Sequence, residues 1–258
     1  MSNPTVPVSR EQLQQTLDAL LDPGGFRDYG PNGLQVEGRR QIRRLVTGVT
    51  ASLALIEAAI AAEADAILVH HGLFWRGQDG RVTGWMKKRL QHLLAHDVNL
   101  FAYHLPLDAH PQLGNNAQLA LRLGIALPDG PQWRFGDQSL GFVGERHWPS
   151  MKAMAGDVKA VMGRNVTLVA EPDRPVHRIG LCTGGAQSYF EAAIGAGVDV
   201  FITGEISEPQ AHYARECGVG YLACGHHASE RYGAPAVGEH VADQLGLEHV
   251  FIDVPNPA

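Results

Sequence analysis

Apolar residues Leu13, Leu17, Leu20 and Leu21 recur at helical spacing behind Ser9, with Gln12 three positions after it. That pattern predicts a helix through Leu21 opened by a capping box. Asp22-Pro23-Gly24-Gly25 should end it, since proline and glycine interrupt helical geometry. After a loop, Leu45 to Val49 reads as a strand, Ser52 to Glu63 as an alanine-rich helix, and Ala66 to Val69 as a short buried strand ending in His70-His71. A helix over Met86 to His96 and a strand over Leu100 to Tyr103 follow. Strands alternating with helices of about ten residues predict βαβ units, a largely parallel sheet and helices on both faces.

The second half repeats the plan. Residues 42–71 slide by 134 positions, without a gap, onto residues 176–205. The identities are Arg44/Arg178, Glu57/Glu191, Ala58/Ala192, Ala59/Ala193, Ile60/Ile194, Ala62/Ala196 and Asp65/Asp199. A shift of 122 then sets His104 over His226, Asp108 over Glu230 and Leu123-Gly124 over Leu245-Gly246. The difference between the shifts falls after Phe74, where the first half is longer. Two related α/β lobes from an internal duplication are therefore expected, 1–125 and 126–258, joined through a connector of about 126–175.

Composition narrows the function. With 45% hydrophobic and 19% charged residues in 258, the chain can build a substantial core. Its net charge of −6 is the wrong sign for a sequence-independent nucleic-acid binder. Arg39, Arg40, Arg43 and Arg44 read as a solvated stretch. No apolar run is long enough to span a membrane, and the start MSNPTVPVSREQ lacks the plan of a secretory leader. The three cysteines show no CxxC spacing, so neither a disulfide framework nor a zinc ribbon is expected. A cytoplasmic protein is the expectation.

Histidine, with 13 copies, is where the chemistry concentrates. His70-His71 ends a strand and is followed by Gly72. Adjacent strand residues point to opposite faces, so both rings can face one crevice only if the backbone turns there. His104 and Asp108 follow the next strand four residues apart, and His226 and Glu230 repeat that spacing after Tyr221 to Ala223. One helical turn would stack each pair on one face, although Pro106 favours a loop around Asp108. All three groups sit at carboxyl ends of expected strands, where open α/β sheets bind ligands. Metal binding is the reading these positions share.

The blocks VHHGLFWRG (69–77), HLPLDAHPQLGNNAQLA (104–120), FITGEISEPQAHYA (201–214), GHHASERYG (225–233) and DYGPNGLQVEG (28–38) resemble the YbgI or NIF3-like family of dinuclear-metal proteins. Members of that family carry the name type 2 homologs of GTP cyclohydrolase 1. The resemblance spans nearly the whole chain. It implies metal ligands at His70, His71, Asp108, His226 and Glu230, a metal site in the cleft between two lobes, and a ring-shaped homohexamer. Some relatives carry an extra domain between the lobes, where this chain has only its connector.

Three imidazoles and two carboxylates suit zinc, iron, manganese, nickel or cobalt. Two such ions roughly 3.5–4 Å apart can ionise a shared water near neutral pH. Five protein ligands for two ions leave coordination positions open, as catalytic sites do. The reading is a metal-dependent hydrolase of a nucleotide-like or heterocyclic small molecule, with two divalent metal ions per subunit. Its rival is a non-catalytic metal chaperone or protein-interaction scaffold. His104, Glu205 and His212 are candidates for proton handling, and Phe74 and Trp75 for stacking on a planar base. The Gly30-Pro31-Asn32-Gly33 loop reads as a tight turn without a function of its own.

Overall fold

A computed structural model describes residues 6–258; residues 1–5, part of the stretch read for a leader, lie outside the described residues. The chain begins β1 (Val8–Ser9), α1 (Arg10–Leu21), β2 (Gly33–Val36), β3 (Gln41–Ile42), β4 (Arg44–Thr50) and α2 (Leu53–Ala61). It continues β5 (Ala66–His71), α3 (Gly84–Ala95), β6 (Asn99–Ala102), α4 (Leu105–Ala109), α5 (Asn115–Arg122), β7 (Arg134–Phe135) and β8 (Gly141–Trp148). Then come α6 (Met151–Met162), β9 (Thr167–Val169), β10 (Val176–Leu181), α7 (Phe190–Gly195), β11 (Val200–Thr203) and α8 (Glu208–Cys217). The chain closes with β12 (Gly220–Ala223), α9 (His226–Ser229), α10 (Gly233–Leu245) and β13 (Glu248–Phe251). This is the mixed α/β architecture the alternation predicts. Among the described residues, no helix is long and apolar enough to cross a membrane.

Two compact units emerge. The first takes residues up to Leu107 together with Gly233–Pro255, and the second takes Asp108–Tyr232 with Asn256–Ala258. The sequence pattern divides the chain at 125/126 instead. What sends the last helix and strand to the first unit is pairing: β13 lies parallel to β4, with Val250 opposite Val46. Residues 126–175, a connector by sequence, carry β7, β8, α6 and β9 of the second unit.

In the first unit the sheet order is β13-β4-β5-β6-β2, parallel throughout except for β2, which runs antiparallel to β6. Val46, Leu55, Ile56, Ile67, Val69, Leu93 and Leu100 form its buried core. The helix ends follow local chemistry. Ser9 Oγ accepts from the Gln12 N–H at 3.1 Å, and Ser52 Oγ accepts from the Leu55 N–H at 3.2 Å, satisfying amides that have no partner within the helix.

The second unit orders its strands β7-β8-β10-β11-β12-β9. The inner three are parallel and β8 and β9 antiparallel. Its core joins Trp148, Met151, Met154, Ile179, Leu181, Ile202 and Leu222. One device recurs in both units. Asp65 Oδ2 accepts the main-chain N–H groups of Arg43 and Arg44. Asp199 Oδ2 accepts those of His177 and Arg178, at positions the 134-residue shift makes equivalent. Each carboxylate thus ties the start of one strand to the start of the next.

Candidate metal centre

Strand β5 runs through both of its histidines. His70 is fully buried, and its Nδ1 lies 3.2 Å from the Tyr103 carbonyl oxygen. A carbonyl only accepts, so this contact puts the proton on Nδ1 and leaves Nε2 with its lone pair, the form a metal binds. His71 Nδ1 is 3.1 Å from Thr50 Oγ1. Strand alternation does not keep the rings apart: their centroids are 4.5 Å from each other. His104 joins them, 4.9 Å from His70 and 5.7 Å from His71 by ring centroid. One nitrogen from each ring lies within 4.8 Å of the others.

His104 is aimed by Asp28, whose Oδ1 lies 2.7 Å from His104 Nδ1. Asp28 Oδ2 accepts from Asn32 Nδ2 at 3.0 Å and from the Leu105 N–H at 2.9 Å. Asn32 Oδ1 in turn accepts the His104 N–H at 2.7 Å. Burial works to raise the Asp28 pKa, but the His104 hydrogen bond and charge, with the Asn32 and Leu105 donors, outweigh it and bring it to about 2. The 28–33 loop is therefore more than a turn: it fixes the rotation of His104.

In the second unit His226 opens α9 and Glu230 caps its C-terminus. The four-residue spacing brings His226 Nε2 to 3.2 Å from Glu230 Oε2. Glu205 Oε1 takes the other side of the ring, 2.6 Å from Nδ1, and Glu205 is itself held by Gln187 Nε2 at 3.0 Å. The Glu230 hydrogen bond raises His226, burial opposes it, and the Glu230 and Glu205 charges add to the rise, to about 9. Glu205 is lowered, chiefly by its bond to His226.

Asp108 lies on a regular turn, α4, where the sequence predicts a loop around Pro106. Proline is tolerated there because first-turn amides have no intrahelical acceptor to lose. Asp108 Oδ1 accepts from Asn115 Nδ2 at 2.9 Å and Thr183 Oγ1 at 3.3 Å. Asp108 and Glu230 are only 8% and 3% exposed, yet a carboxylate oxygen of one lies within 4.8 Å of the other's. Burial raises the Cys182 thiol well above its ordinary range, and the charges of Asp108 and Glu230 raise it further. Gly184 sits against Glu230 with φ +69°, and a Cβ there would collide with Glu230 Oε1 and lie 2.9 Å from Cδ.

His212 belongs to none of the groups of possible metal donors found among the described residues. On α8, 56% exposed, it faces Glu208 at 3.4 Å. Trp75 is half-buried and meets His104 edge to face, centroids 5.0 Å apart.

A family model for Duf34/NIF3 (NGG1p interacting factor 3) matches residues 8–257. The chain belongs to the DUF34/NIF3 family. It is 48% identical over 252 residues to a GTP cyclohydrolase 1 type 2 homolog of Pseudomonas aeruginosa, covering 97% of this chain and 99% of that one. A protein of the same name from Neisseria meningitidis serogroup A is 50% identical, with 97% and 100% covered. Among solved structures, protein ybgI, described as of unknown function, superposes with a TM-score of 0.91 at 44% identity, over 97% of this chain and all of that one. TTHA1606 from Thermus thermophilus gives 0.85 at 32% identity, with 97% and 100% covered.

In this DUF34/NIF3 protein the buried His, Asp and Glu donors can hold metal ions. Imidazole and carboxylate are the donor types of divalent transition-metal sites, and the Gly184 cradle lets the main chain approach the Glu230 carboxylate where a side chain would displace it. Several positioning residues carry no mark in the sequence, namely Asp28, Asn32, Asn115, Thr183 and Gln187. A lone Asp or Asn in a loop has no signal of its own; Asp28 and Asn32, in the 28–38 block, and Asn115, seven residues after Asp108, are within reach only because their blocks were already singled out.

Proposed function

We propose that His70, His71, Asp108, His226 and Glu230 hold two divalent ions, and that the protein hydrolyses a nucleotide-like or heterocyclic small molecule. The observation that carries the reading is the close approach of Asp108 to Glu230. Two carboxylates buried so near each other destabilise one another's charge, and a divalent cation relieves both the repulsion and the cost of desolvation. When bound, such a pair of ions supplies Lewis acidity and ionises water near neutral pH. Glu205 holds His226 by Nδ1, so that Nε2 is directed to the side where Glu230 lies. Asp28 does the equivalent for His104. Proton handling falls to His104 and Glu205, while His212, exposed and turned to Glu208, takes no part.

The curated relatives' name supports a guanine nucleotide as the first substrate to try, with water adding at the ring carbon between two nitrogens. The same resemblance supports a ring-shaped homohexamer, for which light scattering should give six times the 27.9 kDa subunit mass.

Metal content of protein purified without a metal-affinity tag tests the centre. About two ions per subunit in the wild type, falling sharply in Glu230→Ala, are expected. One ion or fewer, unchanged by the substitution, would overturn the dinuclear reading. Release of product from GTP by the wild type but not the variant would then establish hydrolysis.

A further inference from the structure

The first unit carries a second feature beside its three histidines. Two loops, 28–31 and 74–76, face each other across a hollow of about 370 Å³ lined by Asp28, Tyr29, Pro31, Phe74, Trp75 and Arg76. They are clamped to each other: the Arg76 main-chain N–H donates to the Tyr29 carbonyl at 2.6 Å, and the Arg76 side chain donates through Nη2 to the Asp28 carbonyl at 2.9 Å. Gly30 packs so tightly on the Phe74 carbonyl that a Cβ would collide with it. A smaller hollow shares Gly30, Pro31, Phe74 and Trp75 and reaches His70 and His104.

The walls are chemically distinctive. Tyr29 is 62% exposed although its own backbone is pinned, and its ring centroid lies 6.0 Å from that of His104. Trp75, half-buried, approaches the same imidazole from its own loop. Leaving an aromatic ring in water forgoes the gain of burying it, and a rigid backbone beneath it gives a platform that loses little entropy when a ligand stacks. Arg76 is exposed, anchored by one guanidinium nitrogen to a carbonyl, and has no carboxylate partner among the described residues. Its charge is therefore available to an anion, and its fork suits a phosphate.

We propose that this hollow is the recognition subsite for the substrate, taking a planar heteroaromatic ring on Tyr29 and Trp75 and an attached phosphate on Arg76, with the ring delivered beside His104. The assignment rests on the hydrolase reading for its purpose, but it concerns residues that are neither metal ligands nor proton carriers. It makes the ligand a nucleotide rather than a free base or a simple phosphate ester, because each half of the hollow recognises a different half of the molecule. Base–aromatic stacking of this kind contributes about tenfold to a hundredfold in affinity.

Titration calorimetry of the metal-loaded protein with GTP, guanosine and inorganic triphosphate separates the halves. Arg76→Met should weaken GTP about tenfold or more and weaken guanosine far less, only through the lost Asp28 contact. Trp75→Leu and Tyr29→Leu should weaken both GTP and guanosine and leave triphosphate unchanged. Arg76 and Tyr29 are exposed, so those two variants should fold even if Trp75→Leu does not. GTP binding at wild-type strength in Arg76→Met and Tyr29→Leu, or no binding of any of the three probes by the wild type, would overturn the subsite. Metal content measured on the same samples keeps the two readings apart. A failure of the metal centre shows as a low ion count in the wild type, whereas a failure of the subsite shows as unchanged nucleotide affinity at a normal ion count.

Discussion

Alanine at Gly184 tests whether the main chain is shaped around the Glu230 carboxylate. With φ at +69°, alanine costs about 1 kcal/mol in backbone conformation alone. The larger effect is steric. The new Cβ would stand 2.9 Å from Glu230 Cδ and 3.3 Å from His226 Nε2, where ordinary contact begins at 3.4 Å. The backbone cannot easily retreat, because the Gly184 N–H donates to Ser229 Oγ at 3.0 Å. Its carbonyl accepts from the Gly204 N–H at 2.9 Å and from Thr203 Oγ1 at 3.2 Å. The carboxylate must therefore yield by about half an ångström, when a metal–oxygen bond tolerates only about 0.2 Å. Metal affinity should fall about a hundredfold, or about 2.7 kcal/mol, as read by competition with a chromophoric chelator. Gly163 is the control: φ is +67° and a Cβ there meets nothing within 4 Å, so Gly163→Ala carries the backbone cost without the collision. If Gly184→Ala binds metal within about threefold of the wild type, or loses no more than Gly163→Ala does, the cradle argument is wrong.

Other expectations follow from the same contacts. The lowered pKa of Asp28 stabilises the fold above the ordinary aspartate pKa of about 3.9, and that contribution is lost as pH falls through about 2. Its size is about 2 kcal/mol, so thermal melts between about pH 2 and 5 should show a steeper loss of stability in the wild type than in Asp28→Asn; parallel curves would contradict the assignment. Asp65→Ala and Asp199→Ala each strand two main-chain donors and should cost roughly 2–4 kcal/mol in urea unfolding, the half-buried Asp199 nearer the lower end. A loss under about 0.5 kcal/mol at both sites would show that water replaces the carboxylates freely. Chelator-stripped protein should melt about 10 °C below protein saturated with metal at about a thousand times its dissociation constant, and re-addition of metal should restore the melt.

How far the sequence carried depended on the range of the interactions involved. The Ser9 cap and the β4–α2–β5 alternation are set by neighbours within a few residues, and they are where the pattern places them. His226 and Glu230 are likewise local, one turn of α9 apart, so their approach follows from spacing. Asp28 reaches His104 across 76 residues, and Thr183 reaches Asp108 across 75; no periodicity in the chain encodes either pair. The same holds for β13, whose place beside β4 depends on a parallel pairing in which Arg44 and Glu248, 204 positions apart, lie opposite each other. Pro106 misled for the opposite reason. Its rule is local, but it turns on whether the proline falls in the first turn or the interior of a helix, and α4 is so short that most of it is first turn. The residues legible in advance are thus those with ligand or proton-transfer chemistry, Glu205 among them, whereas the aiming contacts they make or receive emerge only in the fold. A histidine has ligand chemistry wherever it stands; it becomes a ligand when a carbonyl such as that of Tyr103 or a carboxylate such as Glu205 fixes which nitrogen carries the proton. Selection for metal affinity should therefore constrain Asn115 and Glu205 nearly as tightly as the ligands they hold, and conservative substitutions there should lower affinity while leaving every ligand in place.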